Sequence, residues 1–136
     1  MNRRTFLSLT AAALASPAAL HAATRDYTPG LVQTALAEGK TIFLDFKASW
    51  CTTCARQERV IKALKAETPA YEDNILFVNV DWDRYGRSDL AKSLNIPRRS
   101  TLVVLKGDTE LGRIVAGTGR AEIKALMDTA LAAATA

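Results

Sequence analysis

From residue 23 onward, apolar and polar positions alternate in blocks that predict helix, strand, helix, strand and helix, then a hairpin and a last helix. Leu31, Val32, Ala35 and Leu36 recur at helical spacing behind Thr28-Pro29-Gly30, which reads as an N-cap and a first helical proline; Gly39 ends the run. Thr41 to Lys47 is a short strand, apolar on both sides as expected for one covered on both faces. From Cys51 to about Glu67, Val60, Ile61 and Leu64 mark a buried helical face, while Arg56, Arg59, Lys62 and Lys65 mark a solvated one, and Pro69 closes the segment. Ile75 to Asp81 is the next strand, and a polar helix is expected over about 84–94. Thr101–Lys106 and Glu110–Ala116 flank Gly107-Asp108-Thr109 as a hairpin. A final helix over about 120–132 buries Ile123, Leu126 and Met127, with a fraying alanine-rich tail.

Candidate chemistry concentrates in Trp50-Cys51-Thr52-Thr53-Cys54, which holds both cysteines of the chain. Residues three apart on a helix are neighbours at roughly 5 Å, within the separation a disulfide requires. At the helix start, Cys51 meets unpaired N–H groups and the positive end of the helix dipole, which favour its thiolate and make it the attacking sulfur. Cys54, one turn further in, is the resolving partner. A purely structural disulfide is a poorer reading, because so short a loop constrains the unfolded chain little. A closed zinc site needs four ligands. Beyond the cysteines the chain offers His21 as its only histidine and Met127 as its only methionine after Met1, so no metal or other cofactor is expected.

Composition changes the picture mainly at the N-terminus. Arg3-Arg4 precede an apolar, alanine-rich run to about Ala23, interrupted by Pro17 and too short for a membrane span of about 20 apolar residues. The expectation is an export signal over 1–22, cleaved near Ala22, with 23–136 as one domain. Arg3-Arg4-Thr5-Phe6-Leu7 resembles the bacterial twin-arginine signal. Removing that segment takes two arginines and no acid, lowering the net charge from +4 to +2. No positive stripe remains to suggest nucleic acid as a partner, and an extracytoplasmic compartment permits disulfides.

The order of elements, with the cysteines between strand and helix, resembles the thioredoxin family over nearly the whole of 23–136. Leu44-Asp45-Phe46-Lys47-Ala48-Ser49-Trp50-Cys51 is similar to that family's strand and approach loop, Thr101-Leu102-Val103-Val104-Leu105-Lys106-Gly107 to its next strand and turn, and Ala116-Gly117 to the glycine before its last helix. The resemblance implies an α/β thioredoxin fold, a central mixed sheet of about four strands flanked by helices. It also implies thiol:disulfide oxidoreductase activity on protein disulfides.

With an export signal, the resemblance narrows to periplasmic members such as the DsbD C-terminal domain and the cytochrome c maturation thioredoxins. These imply a monomeric reductant supplied by a membrane electron donor of the DsbD or CcdA type. Arg98-Arg99-Ser100-Thr101-Leu102 is similar to a small group of exported relatives in which serine replaces the usual cis-proline opposite the cysteines. A cis bond before a non-proline residue costs about 2.5–4 kcal/mol, so a trans Arg99-Ser100 bond is expected. Either the Ser100 hydroxyl bonds a cysteine sulfur or Ser100 is simply a tolerated loop residue.

Asp45 matches the family's buried carboxylate that aids proton transfer to the resolving cysteine, although Phe77 falls where a lysine usually accompanies it. Trp50, Arg99, Ser100 and Thr101 are the candidate substrate-binding residues, with Arg98-Arg99 favouring acidic partners. Thr52-Thr53, lacking histidine and proline, favours a reductant over an oxidase. The rival reading is a non-catalytic binding module, a metallochaperone or assembly factor.

Overall fold

The computed structural model describes residues 24–136. The elements in order are β1 (Arg25–Asp26), α1 (Leu31–Ala37), β2 (Thr41–Lys47), α2 (Thr52–Glu67), α3 (Ala70–Asn74), β3 (Leu76–Asp81), α4 (Trp82–Tyr85), α5 (Asp89–Ser93), β4 (Thr101–Lys106), β5 (Thr109–Val115) and α6 (Arg120–Ala134). The expected export signal, with Arg3-Arg4, His21 and the cleavage near Ala22, lies outside the described residues.

The strands form one five-stranded sheet in the order β1-β3-β2-β4-β5, parallel from β1 through β3 to β2 and antiparallel from β2 through β4 to β5. This is the expected mixed α/β sheet with one strand more. β1 is only two residues long and has no apolar pattern, so its membership comes from backbone pairing with Val78 and Asn79.

Alternation along β2 divides the core between the two faces. Ile42, Leu44 and Phe46 pack with α1, α4 and α5 residues such as Val32, Ala35 and Ala91. Phe43 faces the other way, against Ile61 and Leu64 of α2 and Ile123, Leu126 and Met127 of α6. Each such fully buried side chain contributes about 1.5–3 kcal/mol.

Several local expectations shift. α1 starts after Gly30 rather than at a Thr28 cap: the Leu31 N–H reaches the Thr28 carbonyl at 3.1 Å, closing a turn with Pro29 and Gly30 at its centre. Gly30 has φ +91°, a conformation that favours glycine. Pro69 ends α2 and also opens the short α3. The single polar helix over 84–94 is instead two, because Asp81 Oδ1 caps α4 and Ser88 Oγ caps α5, with a turn at Gly86 between them. The hairpin turn is the two residues Gly107-Asp108, since Thr109 already pairs with Lys106. The alanine-rich end stays helical through Ala134, where Ala130 adds to the buried face.

The sheet register brings three chain segments to one point. Phe46 near the end of β2 pairs with Thr101 at the start of β4, and Thr101 pairs with Val115 at the end of β5. Ser100, just before β4, therefore lies beside the loop that carries the cysteines.

Candidate functional site

Cys51 is the N-cap of α2, with extended backbone (φ −87°, ψ 112°). Its sulfur takes the place of the usual capping oxygen and accepts the Cys54 N–H at 3.1 Å. The Cys51 N–H is fixed to the Ala48 carbonyl at 3.1 Å. Both cysteines are free thiols.

Ser100 has no exposed surface, and its hydroxyl oxygen stands 3.2 Å from Cys51 Sγ and 3.1 Å from Cys54 Sγ. No peptide bond among the described residues is cis, and Ser100 holds φ +64°. A non-glycine residue in this left-handed region costs about 1 kcal/mol or more. Three hydrogen bonds hold it there: Ser100 N–H to the Phe46 carbonyl at 2.7 Å, and the Ser100 carbonyl accepting from Ala116 N–H at 2.9 Å and Gln57 Nε2 at 3.0 Å.

Burial disfavours the Cys51 thiolate. Hydrogen bonds from the Cys54 side chain, the Ser100 hydroxyl, the Cys54 N–H and Arg99 outweigh it and lower the thiol from 9.0 to about 7. Cys54 shifts upward, through burial and then through its neighbour Cys51. At neutral pH a large share of Cys51 is thiolate while Cys54 is held as a thiol, the combination needed for attack and resolution.

Trp50 is 57% exposed. Its indole N–H points at Asp83 Oδ1 and Oδ2, at 3.1 and 3.0 Å, and the Arg99 guanidinium lies 4.6 Å from its ring centre. Trp50 is thus an exposed platform beside the cysteines and not part of the core. Thr101 is buried and turns its hydroxyl to the Arg98 carbonyl at 2.7 Å, bracing the loop from within.

Asp45 sits on the α2 face of β2, 6% exposed, and lines a cavity of about 210 Å³ with Thr24, Lys47, Glu58, Lys65 and Phe77 among its walls. Its Oδ1 has no hydrogen-bond partner among the described residues. Desolvation raises its carboxyl from 3.8 to about 7, moderated by Lys47 and Lys65 and assisted by Glu58.

Lys65 corrects the expectation of a solvated position. Its ammonium lies 3.9 Å from the Phe77 ring centre, donates to Thr24 Oγ1 at 2.9 Å and pairs with Glu72 at 3.4 Å. An amino group thus enters the Asp45 cavity from α2, although the strand position beside Asp45 is Phe77.

Two residues escaped sequence reasoning. Gln57 is fully buried and its Nε2 donates both to Ser100 and, at 2.9 Å, to the Gly117 carbonyl, tying α2 to both loops. Its position at helical spacing between Cys54 and Ile61 was the available signal. Asp83 carried none, because only the fold brings α4 to Trp50.

A dithiol capping the helix that follows the central strand of a five-stranded mixed sheet defines a thioredoxin-fold protein with a redox-capable site. A sequence model of the family described as Thioredoxin matches residues 25–129, and the chain belongs to the thioredoxin family. Thioredoxin H2-1 of Oryza sativa subsp. japonica is 30% identical over 90 residues, 66% of this chain and 60% of the rice protein. Thioredoxin H5 of the same plant is 30% identical over 79 residues, 58% of this chain and 54% of its own length. The chain thus spans little more than half of these relatives. The crystal structure of Trxlp from Edwardsiella tarda EIB202 superposes with a TM-score of 0.63 at 28% identity, covering 77% of this chain and 95% of that one.

Proposed function

We propose that this chain is an exported thiol:disulfide oxidoreductase that reduces or interchanges disulfides in protein partners through Cys51 and Cys54. The observation that carries the reading is the Cys51 sulfur at the helix N-cap, served by the Cys54 N–H and within hydrogen-bond distance of the Ser100 hydroxyl. The Cys51 thiolate attacks a substrate disulfide, expels one substrate sulfur and forms a mixed disulfide. Cys54 then displaces the second substrate sulfur, leaving Cys51–Cys54 oxidised. Asp45, with a carboxyl near neutrality in its desolvated cavity, accepts and returns protons in this cycle.

Trp50 and Arg99 form the face that meets the partner, and Arg98-Arg99 favour acidic segments near the substrate disulfide. Export to the periplasm rests on the sequence of residues 1–22, and re-reduction there calls for a membrane donor of the DsbD or CcdA type. Thr52-Thr53 places no cation between the cysteines, which favours a reductant with a potential near about −270 mV over an oxidant near about −120 mV.

Turbidimetric insulin reduction tests the activity. Cys51→Ser is expected to abolish it and Cys54→Ser to accumulate mixed disulfide; insulin reduction by Cys51→Ser at the wild-type rate would overturn the reading. Equilibration with a thiol buffer reads the potential, and N-terminal sequencing of periplasmic protein reads the export.

A further inference from the structure

Ser100 carries one hydroxyl proton and can donate it to one acceptor at a time. Two acceptors stand at almost equal range, Cys51 Sγ at 3.2 Å and Cys54 Sγ at 3.1 Å. The backbone around the hydroxyl is fixed by the bonds to Phe46, Ala116 and Gln57, so rotation of the O–H alone decides which sulfur receives it. We propose that Ser100 is a hydrogen-bond switch that serves the two cysteines in turn, donating to Cys51 before attack and to Cys54 after it. This rests on the dithiol activity proposed above.

In the reduced protein the Cys51 thiolate is the stronger acceptor and takes the hydroxyl proton, with the Cys54 thiol also donating to Cys51 Sγ. Once Cys51 is bonded to the substrate sulfur it carries no charge, and the hydroxyl turns to Cys54. Cys54 releases its proton to solvent by way of Asp45, and its thiolate electron pair forms the Cys54–Cys51 bond. The bond between Cys51 and the substrate sulfur breaks. That sulfur leaves with the bonding pair and takes a proton from solvent, so both cysteines are oxidised and the substrate is reduced without another reagent.

The test places a neutral sulfur at Cys51 by alkylation with iodoacetamide and follows Cys54 ionisation by ultraviolet thiolate absorbance. Ser100→Ala is expected to raise the Cys54 pKa in the alkylated protein by about one unit, a tenfold loss of thiolate at a given pH. Ser100→Gly, which relieves the left-handed backbone, is expected to do the same. The other titratable or charged groups around the pair, Cys51 on the same helix, Arg99 before β4, Asp83 on α4 and Asp45 on β2, are common to the proteins compared.

A second readout uses an aromatic disulfide, 5,5′-dithiobis(2-nitrobenzoate), whose two thiols are released in turn by Cys51 attack and Cys54 resolution. Ser100→Ala slows the second release about tenfold at neutral pH, and the gap closes at high pH where Cys54 is ionised in every variant. An unchanged Cys54 pKa after alkylation, or a slowing that persists at high pH, overturns the switch. Absence of the first release in the wild type overturns the dithiol reading itself.

Discussion

Cys51 and Asp45 expose almost equally little surface, 5% and 6%, yet the fold pushes them in opposite directions. The thiol descends from 9.0 to about 7 and the carboxyl climbs from 3.8 to about 7. Burial disfavours the charged form of both. What differs is depth and the supply of donors: Asp45 sits deeper and is more strongly desolvated, and its Oδ1 has no hydrogen-bond partner among the described residues, whereas the Cys54 N–H points at Cys51 Sγ and the Ser100 hydroxyl lies within its reach. The comparison teaches that depth weighed against converging donors sets the sign of the shift, and that the fold uses both signs to bring a sulfur and a carboxyl to pKa values near 7.

The largest effect should come from removing the charge on the unserved side. Because the Asp45 pKa is raised on folding, its contribution to stability is full below the unfolded value of 3.8 and is lost as pH climbs toward 7. Asp45→Asn removes this dependence. Its stability relative to wild type should therefore improve between pH 4 and pH 8, by at most about 4 kcal/mol. Urea unfolding at the two pH values measures this. A flat difference would mean that cavity water or Lys65 already satisfies the carboxylate, and the contrast with Cys51 would collapse. Cys51, lowered on folding, gives the opposite slope: its contribution is present above 9 and lost as pH falls through about 7.

A smaller effect probes the well-served side. Gln57→Leu removes the donor shared by the Ser100 and Gly117 carbonyls, although Ser100 keeps the Ala116 N–H. Gln57 Oε1 is itself buried without a hydrogen-bond partner among the described residues, so leucine also removes an existing cost. The two partly cancel, leaving a net loss of about 1–2 kcal/mol. With Ser100 less firmly held, the Cys51 pKa should rise back toward 9, measurable by the pH dependence of alkylation. An unshifted pKa would show that the β2 and β5 contacts position Ser100 unaided.

These two regions were unequally legible in the sequence. Cys51, Cys54 and the strand before them announce themselves through spacing and apolar pattern, and Ser100 stood out because the resembling family has proline there. Gln57 looked like a polar helical residue, because a side chain that satisfies backbone carbonyls leaves no hydrophobic signature. Lys65 sat in a charged stripe, yet its long apolar stem let it fold over Phe77 and bring its charge beneath α2. β1 and the split of α4 from α5 depend on backbone pairing and side-chain caps, which amphipathic periodicity does not record.

The smallest effect belongs where the protein meets solvent. Trp50 is held by Asp83 on its indole edge and by Arg99 on its ring face, a third polar arrangement beside the same cysteines but an exposed one. Water can replace the Asp83 carboxylate, so Asp83→Ala should change stability by no more than about 0.5 kcal/mol. The freed indole then has to be ordered each time a partner docks, which falls on binding rather than on chemistry. The KM for a protein disulfide should rise about threefold, equivalent to about 0.7 kcal/mol, with a smaller change in kcat. Steady-state insulin reduction separates the two parameters. A fall in kcat with KM unchanged would instead place Asp83 among the groups that act on Cys51, and the division between a buried polar centre and its exposed rim would have to be redrawn.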